Sequence, residues 1–125
     1  MATVLTNTGK ADMINALNGG AHTPPTYVAW GTGAGTAAET DTTLFTEASE
    51  ARTNGTKSVV TTTVTNDTYQ VVGTITAAGT KTITNSGLFD ALTSGDLYVK
   101  GDFTGIALNA SDSIQFTIKI VQDQA

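Results

Sequence analysis

Ser113-Ile114-Gln115-Phe116-Thr117-Ile118-Lys119-Ile120-Val121 is the stretch that decides the fold class. Ile114, Phe116, Ile118 and Ile120 alternate with Gln115, Thr117, Lys119 and Val121. Successive side chains on a strand point to opposite faces, so this run predicts a strand with one buried face and one mostly polar face. Upstream, Lys57 to Thr65 and Thr68 to Ala77 read as two strands joined at Asn66-Asp67, a dipeptide that suits a tight hairpin turn. Lys81 to Asn85, the Leu88-Phe89 pair and Leu97 to Phe103 read as further strand segments. Gly79, Gly87 and the turn-rich Thr93-Ser94-Gly95-Asp96 punctuate them.

The first third of the chain reads differently. Thr8 to Leu17 predicts a short helix, capped by Asn7 or Thr8 and stopped by Gly19-Gly20. Met13, Ile14 and Leu17 fall on one side of it, so it must dock on something to be stable. Pro24-Pro25 forces an extended path into a short strand, Tyr27-Val28-Ala29-Trp30. Residues 31–50 follow as a long loop of small residues, broken by Leu44-Phe45. A loop of this length in a compact domain is usually functional, mobile or ordered by a partner. Six or seven strands at intervals of roughly ten residues predict a mainly β chain. The expected architecture is one domain over 1–125, a β-sandwich or open barrel with a short N-terminal helix at one end or along one edge.

Composition supports that reading. The chain has 26 threonines among 125 residues, no cysteine and one histidine. Threonine is β-branched, which favours a pleated strand, and its hydroxyl keeps an outer face wet. Charged residues are 14%, against about 25% in ordinary soluble domains, which leaves a neutral surface suited to packing against copies or partners. The net charge of −5 and six scattered cations argue against nucleic-acid binding. The absence of cysteine removes disulfides and thiolate chemistry together. The N-terminus has no signal-like charged and apolar regions, and no run approaches the length of a membrane span. A soluble protein made in a cytoplasm is therefore expected.

Candidate chemistry is thin. Gly31-Thr32-Gly33-Ala34-Gly35-Thr36 follows a strand, but a dinucleotide fingerprint needs glycine where Thr36 stands and a helix afterwards. No lysine completes a phosphate loop, so flexible turns needing positive φ are the expectation. His22 lies in a loop without a visible catalytic partner. Asp90, Asp96 and Asp102 border turns and offer oxygens of the kind calcium takes, but in no calcium-loop pattern. Asn54-Gly55-Thr56 and Asn66-Asp67-Thr68 fit a glycosylation pattern and more simply mark turns. No catalytic residue, cofactor or metal is expected. Leu44 and Phe45 are the exception to a polar loop, and an apolar pair in such a setting suits a partner's pocket. Leu44 and Phe45, with Leu5 and Leu17 of the N-terminal segment, are the expected partner contacts, and 1–20 and 31–50 the expected docking elements.

Leu5-Thr6-Asn7-Thr8-Gly9, Tyr27-Val28-Ala29-Trp30-Gly31-Thr32-Gly33, Ile83-Thr84-Asn85-Ser86-Gly87-Leu88-Phe89-Asp90 and Asp112-Ser113-Ile114-Gln115-Phe116-Thr117-Ile118 together resemble small structural proteins of tailed bacteriophages. The resemblance extends over nearly the whole chain and implies virion assembly without catalysis. It implies a capsid decoration (cement) protein that binds and stabilises the assembled lattice, or a tail, baseplate or fibre component. Decoration would make the major capsid protein the partner and favour a homo-oligomer, a trimer first, assembled in the host cytoplasm and located in the virion. A carbohydrate-binding module, with Trp30 or Tyr98 on a sheet face, is the further alternative.

Overall fold

The computed structural model describes residues 2–122. Its elements in chain order are β1 (Thr3–Leu5), α1 (Asn7–Leu17), β2 (Tyr27–Gly31), β3 (Thr53–Asn54), β4 (Thr56–Val60), β5 (Thr68–Thr76), β6 (Lys81–Phe89), β7 (Leu97–Leu108) and β8 (Ser113–Val121). Two antiparallel sheets result, one with strand order β1-β7-β6-β2-β3 and one with order β4-β5-β8. Strand accounts for 45% of the described residues and helix for 9%, and the sheets do not close into a barrel. The fold is therefore the mainly β sandwich that the alternation predicts.

The sheets meet through one alternating set of side chains. Val28 and Trp30 of β2, Val71 and Ile75 of β5, Ile83 and Leu88 of β6 and Ile120 of β8 are among the buried residues of this core. Trp30 meets Phe116 edge-on, with ring centroids 6.3 Å apart. Such an arrangement adds about 0.5–1.5 kcal/mol beyond the area buried. The residue between Val28 and Trp30, Ala29, points to the opposite face of the large sheet. There it packs with Leu44, Phe89 and Leu97 in a second buried cluster. β2 is thus buried on both faces, because the segment after it folds back as a cover.

Three local differences from the sequence reading have physical causes. β4 and β5 pair as expected, from Thr56↔Val72 to Val60↔Thr68. The connection, however, spans 61–67 rather than two residues. Asp67 accepts the N–H groups of Thr62, Thr63 and Val64 at 2.8–2.9 Å and organises a wider loop. Those donors, Val64 first, hold its carboxyl well below the usual range. β6 runs unbroken through Gly87, where a Cβ would stand 2.8 Å from the Leu44 and Leu97 side chains. This glycine permits close packing on the buried outer face and does not mark a turn. β7 continues past Phe103 to Leu108, pairing Ile83↔Ile106 and Lys81↔Leu108 after a register irregularity in β6.

The helix begins one residue earlier than expected. Thr6 is its N-cap, accepting the Gly9 N–H at 3.0 Å, and its hydroxyl donates to the Leu97 carbonyl. Gly19 follows the C-cap Asn18 with φ +85, the left-handed turn that glycine adopts without penalty. Gly9 fits where a Cβ would be 2.9 Å from the Tyr98 Cα, so the helix lies close on β7. β3 and β4 are nearly continuous, and the chain passes there from the large sheet to the small one. One side of the sandwich is joined by that crossing. The other side, between β7 and β8, stays open.

Candidate docking surface

The segment 32–51 is pinned to the body by buried polar side chains. Asn85, fully buried in β6, accepts the Phe45 N–H and donates to the Phe45 carbonyl, both at 3.0 Å. Its amide acts as a short extra strand partner. Lys100 of β7, with its side chain 1% exposed, donates to Asp41 at 3.0 Å and to the Thr43 carbonyl at 2.8 Å. Its ammonium lies 3.3 Å above the Phe45 ring centroid. The Ala38 N–H first, then Lys100, lowers the Asp41 carboxyl from its ordinary range. Further along, Glu50 takes hydrogen bonds from the Trp30 indole, the Ala78 N–H and Lys81. Burial alone would raise the Glu50 carboxyl; these three donors outweigh it and bring it down to about 2.

The glycines of 31–35 serve this docking. A Cβ on Gly31 would meet the Phe45 carbonyl at 2.4 Å, and one on Gly35 would meet the Phe45 ring at 2.7 Å. Gly31 and Gly33 do not have positive φ, whereas Gly35 does, so the expectation of positive-φ turns holds at Gly35 alone. The residues are small so that Phe45 can lie against the backbone.

The four expected contact residues therefore occupy different settings. Leu44 is 5% exposed and packs under the sheet, so it has almost no surface to offer a partner. Phe45 is half-buried between Lys100 and the glycines. Leu5 is half-buried against the main core. Leu17 is 84% exposed at the end of α1, where Ile14 is 64% exposed as well. Met13, from the same helical side, instead packs into the core. The two expected docking elements do touch. The Asn7 N–H donates to the Glu39 carbonyl at 2.8 Å, Lys10 pairs with Glu39, and Asp102 accepts from both Ala2 and Ala37.

An apolar cleft of about 380 Å³ lies between α1, the Pro24-Pro25 segment and the small sheet, with Met13, Ala16, Val59, Tyr69 and Ile120 among its lining. Val59 beside it, and Val64 on the 61–67 connection, are exposed. Local sequence gives no sign of this cleft, since helix, proline segment and sheet come together only in the fold.

A polar depression adjoins it, lined by His22, Asp12, Asp90, Asp96 and Tyr98. Carboxylate oxygens of Asp12, Asp90 and Asp96 lie within 4.8 Å of one another, a spacing that could hold a cation or share a proton. The hydrogen bond with Asp12, then burial, raises the Asp96 carboxyl above its ordinary range. Asp102, grouped with Asp90 and Asp96 on sequence, lies elsewhere and holds Ala2 and Ala37. Asp90 also has a turn role, accepting the Asp96 N–H at 2.8 Å. His22 is exposed, with Nδ1 3.2 Å from the Gly20 carbonyl oxygen. Trp30 and Tyr98 are both buried. Neither ring has a face free to stack on a sugar, which removes the basis for the carbohydrate-binding alternative.

Among the described residues the sandwich thus has a pinned cover and exposed apolar residues at the end of α1. A family model described as podophage GP4 fiber I protein gp80 matches residues 4–123, and the chain belongs to that family. It is a bacteriophage structural protein, and the match favours the tail, baseplate or fibre reading over capsid decoration. No curated protein and no solved structure gave a significant match.

Proposed function

We propose that the chain is a tail or fibre component of a phage particle that works by docking onto neighbouring virion proteins. The observation that carries this reading is the fibre-family match over 4–123. The pinned cover supports it, because a part that transmits contact needs a surface of fixed shape. The exposed Leu17 at the end of α1 is the apolar feature we assign to the partner contact. Segments 1–20 and 31–50 remain the proposed docking elements, now as one joined surface.

Labelling of intact particles with an antibody to this chain tests the reading. Label on the tail or its fibres, at few copies per particle, is the expected result. Label spread over the head at lattice-filling copy number, with heat resistance that depends on the chain, would restore the decoration reading. Within the fibre reading, Leu17→Ser should fold normally and enter particles poorly. Unimpaired incorporation would remove the helix end from the contact.

A further inference from the structure

β8 is an edge strand with little to prevent further pairing. It pairs with β5 alone, in an unbroken register from Thr68↔Val121 to Thr76↔Ser113. Among the described residues, none hydrogen-bonds to its other edge. Natural edges are usually guarded by proline, a bulge, charged side chains (lysine above all) or a short length. β8 has nine residues, no proline and no register shift, and Lys119 near one end is its single charge. Beside the edge, the open side of the sandwich forms a cleft of about 300 Å³ lined in part by Phe103, Ile106, Phe116 and Ile118. Ile114, Phe116 and Ile118 are only half-buried although they belong to the inner face, because no described residue covers the sandwich there.

We propose that this edge pairs with β8 of a second copy, antiparallel about a two-fold axis at Thr117, joining the two small sheets into one of six strands. Three consequences of the strand's own sequence select this occupant. The register that brings all nine residues into pairing places Thr117 opposite Thr117 of the other copy. It also sets Ile114 opposite Ile120 and Phe116 opposite Ile118, so the inner faces join as one apolar surface. Finally, it places Lys119 opposite Gln115 and Asp112 opposite Gln122. Asp112 and Lys119 are the charges of 112–122 in a chain of net charge −5, so two acidic molecules can meet along this strip without like charges facing. A two-fold contact is self-complementary and closes at two copies. The other edge of the small sheet, β4, has five residues and could pair only part of β8. This pairing proposes a twofold contact in place of the threefold oligomer that the decoration reading favours, and it is independent of where in the particle the chain resides.

Sedimentation of the full chain over a range of concentrations tests the proposal, using wild type, Thr117→Lys and Thr117→Glu. Thr117 is exposed, so both variants should keep the wild-type circular dichroism. Wild type should form dimers. Each variant alone places like charges opposite each other and should weaken self-association about tenfold or more, while an equal mixture of the two should recover it. A wild type that stays monomeric at every concentration overturns the proposal. So does a trimer or an open chain of copies, or dimerisation unchanged in both variants. Should a variant fail to fold, hydrogen exchange on wild type decides. Amides of 113–121 should gain protection on going from dilute to concentrated solution, and equal exchange in both would overturn the pairing.

Discussion

Asn85→Ala should unfasten the cover over the large sheet. The wild-type amide bonds both the N–H and the carbonyl of Phe45 at 3.0 Å from a fully buried position. Alanine leaves the Phe45 N–H without a partner, at a cost of about 1–3 kcal/mol where water cannot replace the bond, while the Phe45 carbonyl loses one of two donors and keeps the Gly33 N–H. Phe45 is half-buried, so water reaches part of the site and the lower half of that range applies, about 1–2 kcal/mol in total. A chain of this size loses about 4 °C of Tm per kcal/mol, which gives a fall of about 4–8 °C in calorimetry. Amide exchange at Phe45 and at Gly33, whose N–H donates to the Phe45 carbonyl, should accelerate beyond the global change. Asn85→Asp adds a signed test. The carboxylate keeps the acceptor for the Phe45 N–H but faces the Phe45 carbonyl and is buried, so its pKa in the folded state rises above the unfolded value. The folded variant then takes up a proton before the unfolded chain does, and it should gain stability as pH falls from neutral towards the ordinary carboxylate range. A Tm for Asn85→Ala within about 3 °C of wild type, with unchanged exchange at Phe45 and Gly33, would refute the pinning argument.

Three further outcomes are expected. Lys100→Met keeps the bulk but removes the ammonium from Asp41, which keeps the Ala38 N–H, and from the Thr43 carbonyl, and should lower the urea midpoint by an amount equivalent to about 1–3 kcal/mol at unchanged slope. Glu50 titrates at about 2 when folded against an ordinary 4.5, so the stability it contributes is complete above the ordinary value and lost as pH falls from there towards 2. Thermal melts across that window should show the loss, and Glu50→Gln should flatten it. Leu44→Ala should cost about 2–4 kcal/mol in chemical denaturation, as expected of a core residue, and variant that does fold should enter particles normally.

The parts of the fold legible in the sequence were those set by local periodicity. β8 shows its alternation openly, and the helix is bracketed by its cap and glycine signals to within one residue at its start. β1 escapes because three residues carry no period; its pairing with Val99 to Gly101 of β7 defines it. Residues 31–50 look like a free loop since their partners, Asn85 and Lys100, lie about 40–60 residues away in sequence. The apolar pair Leu44-Phe45 shows the limit most clearly. Sequence marks it as unusual among polar neighbours, but only the outer face of the large sheet, with Ala29, Phe89 and Leu97, shows that Leu44 is held inward. Asp12 similarly carries no signal of its closeness to Asp90 and Asp96, because helix docking on β7 creates it.

The β5–β8 pairing also dictates an order of events during synthesis. β4 and β5 can pair as soon as both have left the ribosome, but the other edge of β5 must wait for β8. Thr76 and Ser113, the nearest pair in that register, are separated by 37 residues. At about 5–20 residues per second, the nascent hairpin exposes that edge for roughly 2–7 s before its partner appears. The strand that waits carries Val71, Val72 and Ile75, so its open edge is apolar as well as unpaired. The arrival of β8 is then what keeps neighbouring chains on one message from pairing through this edge.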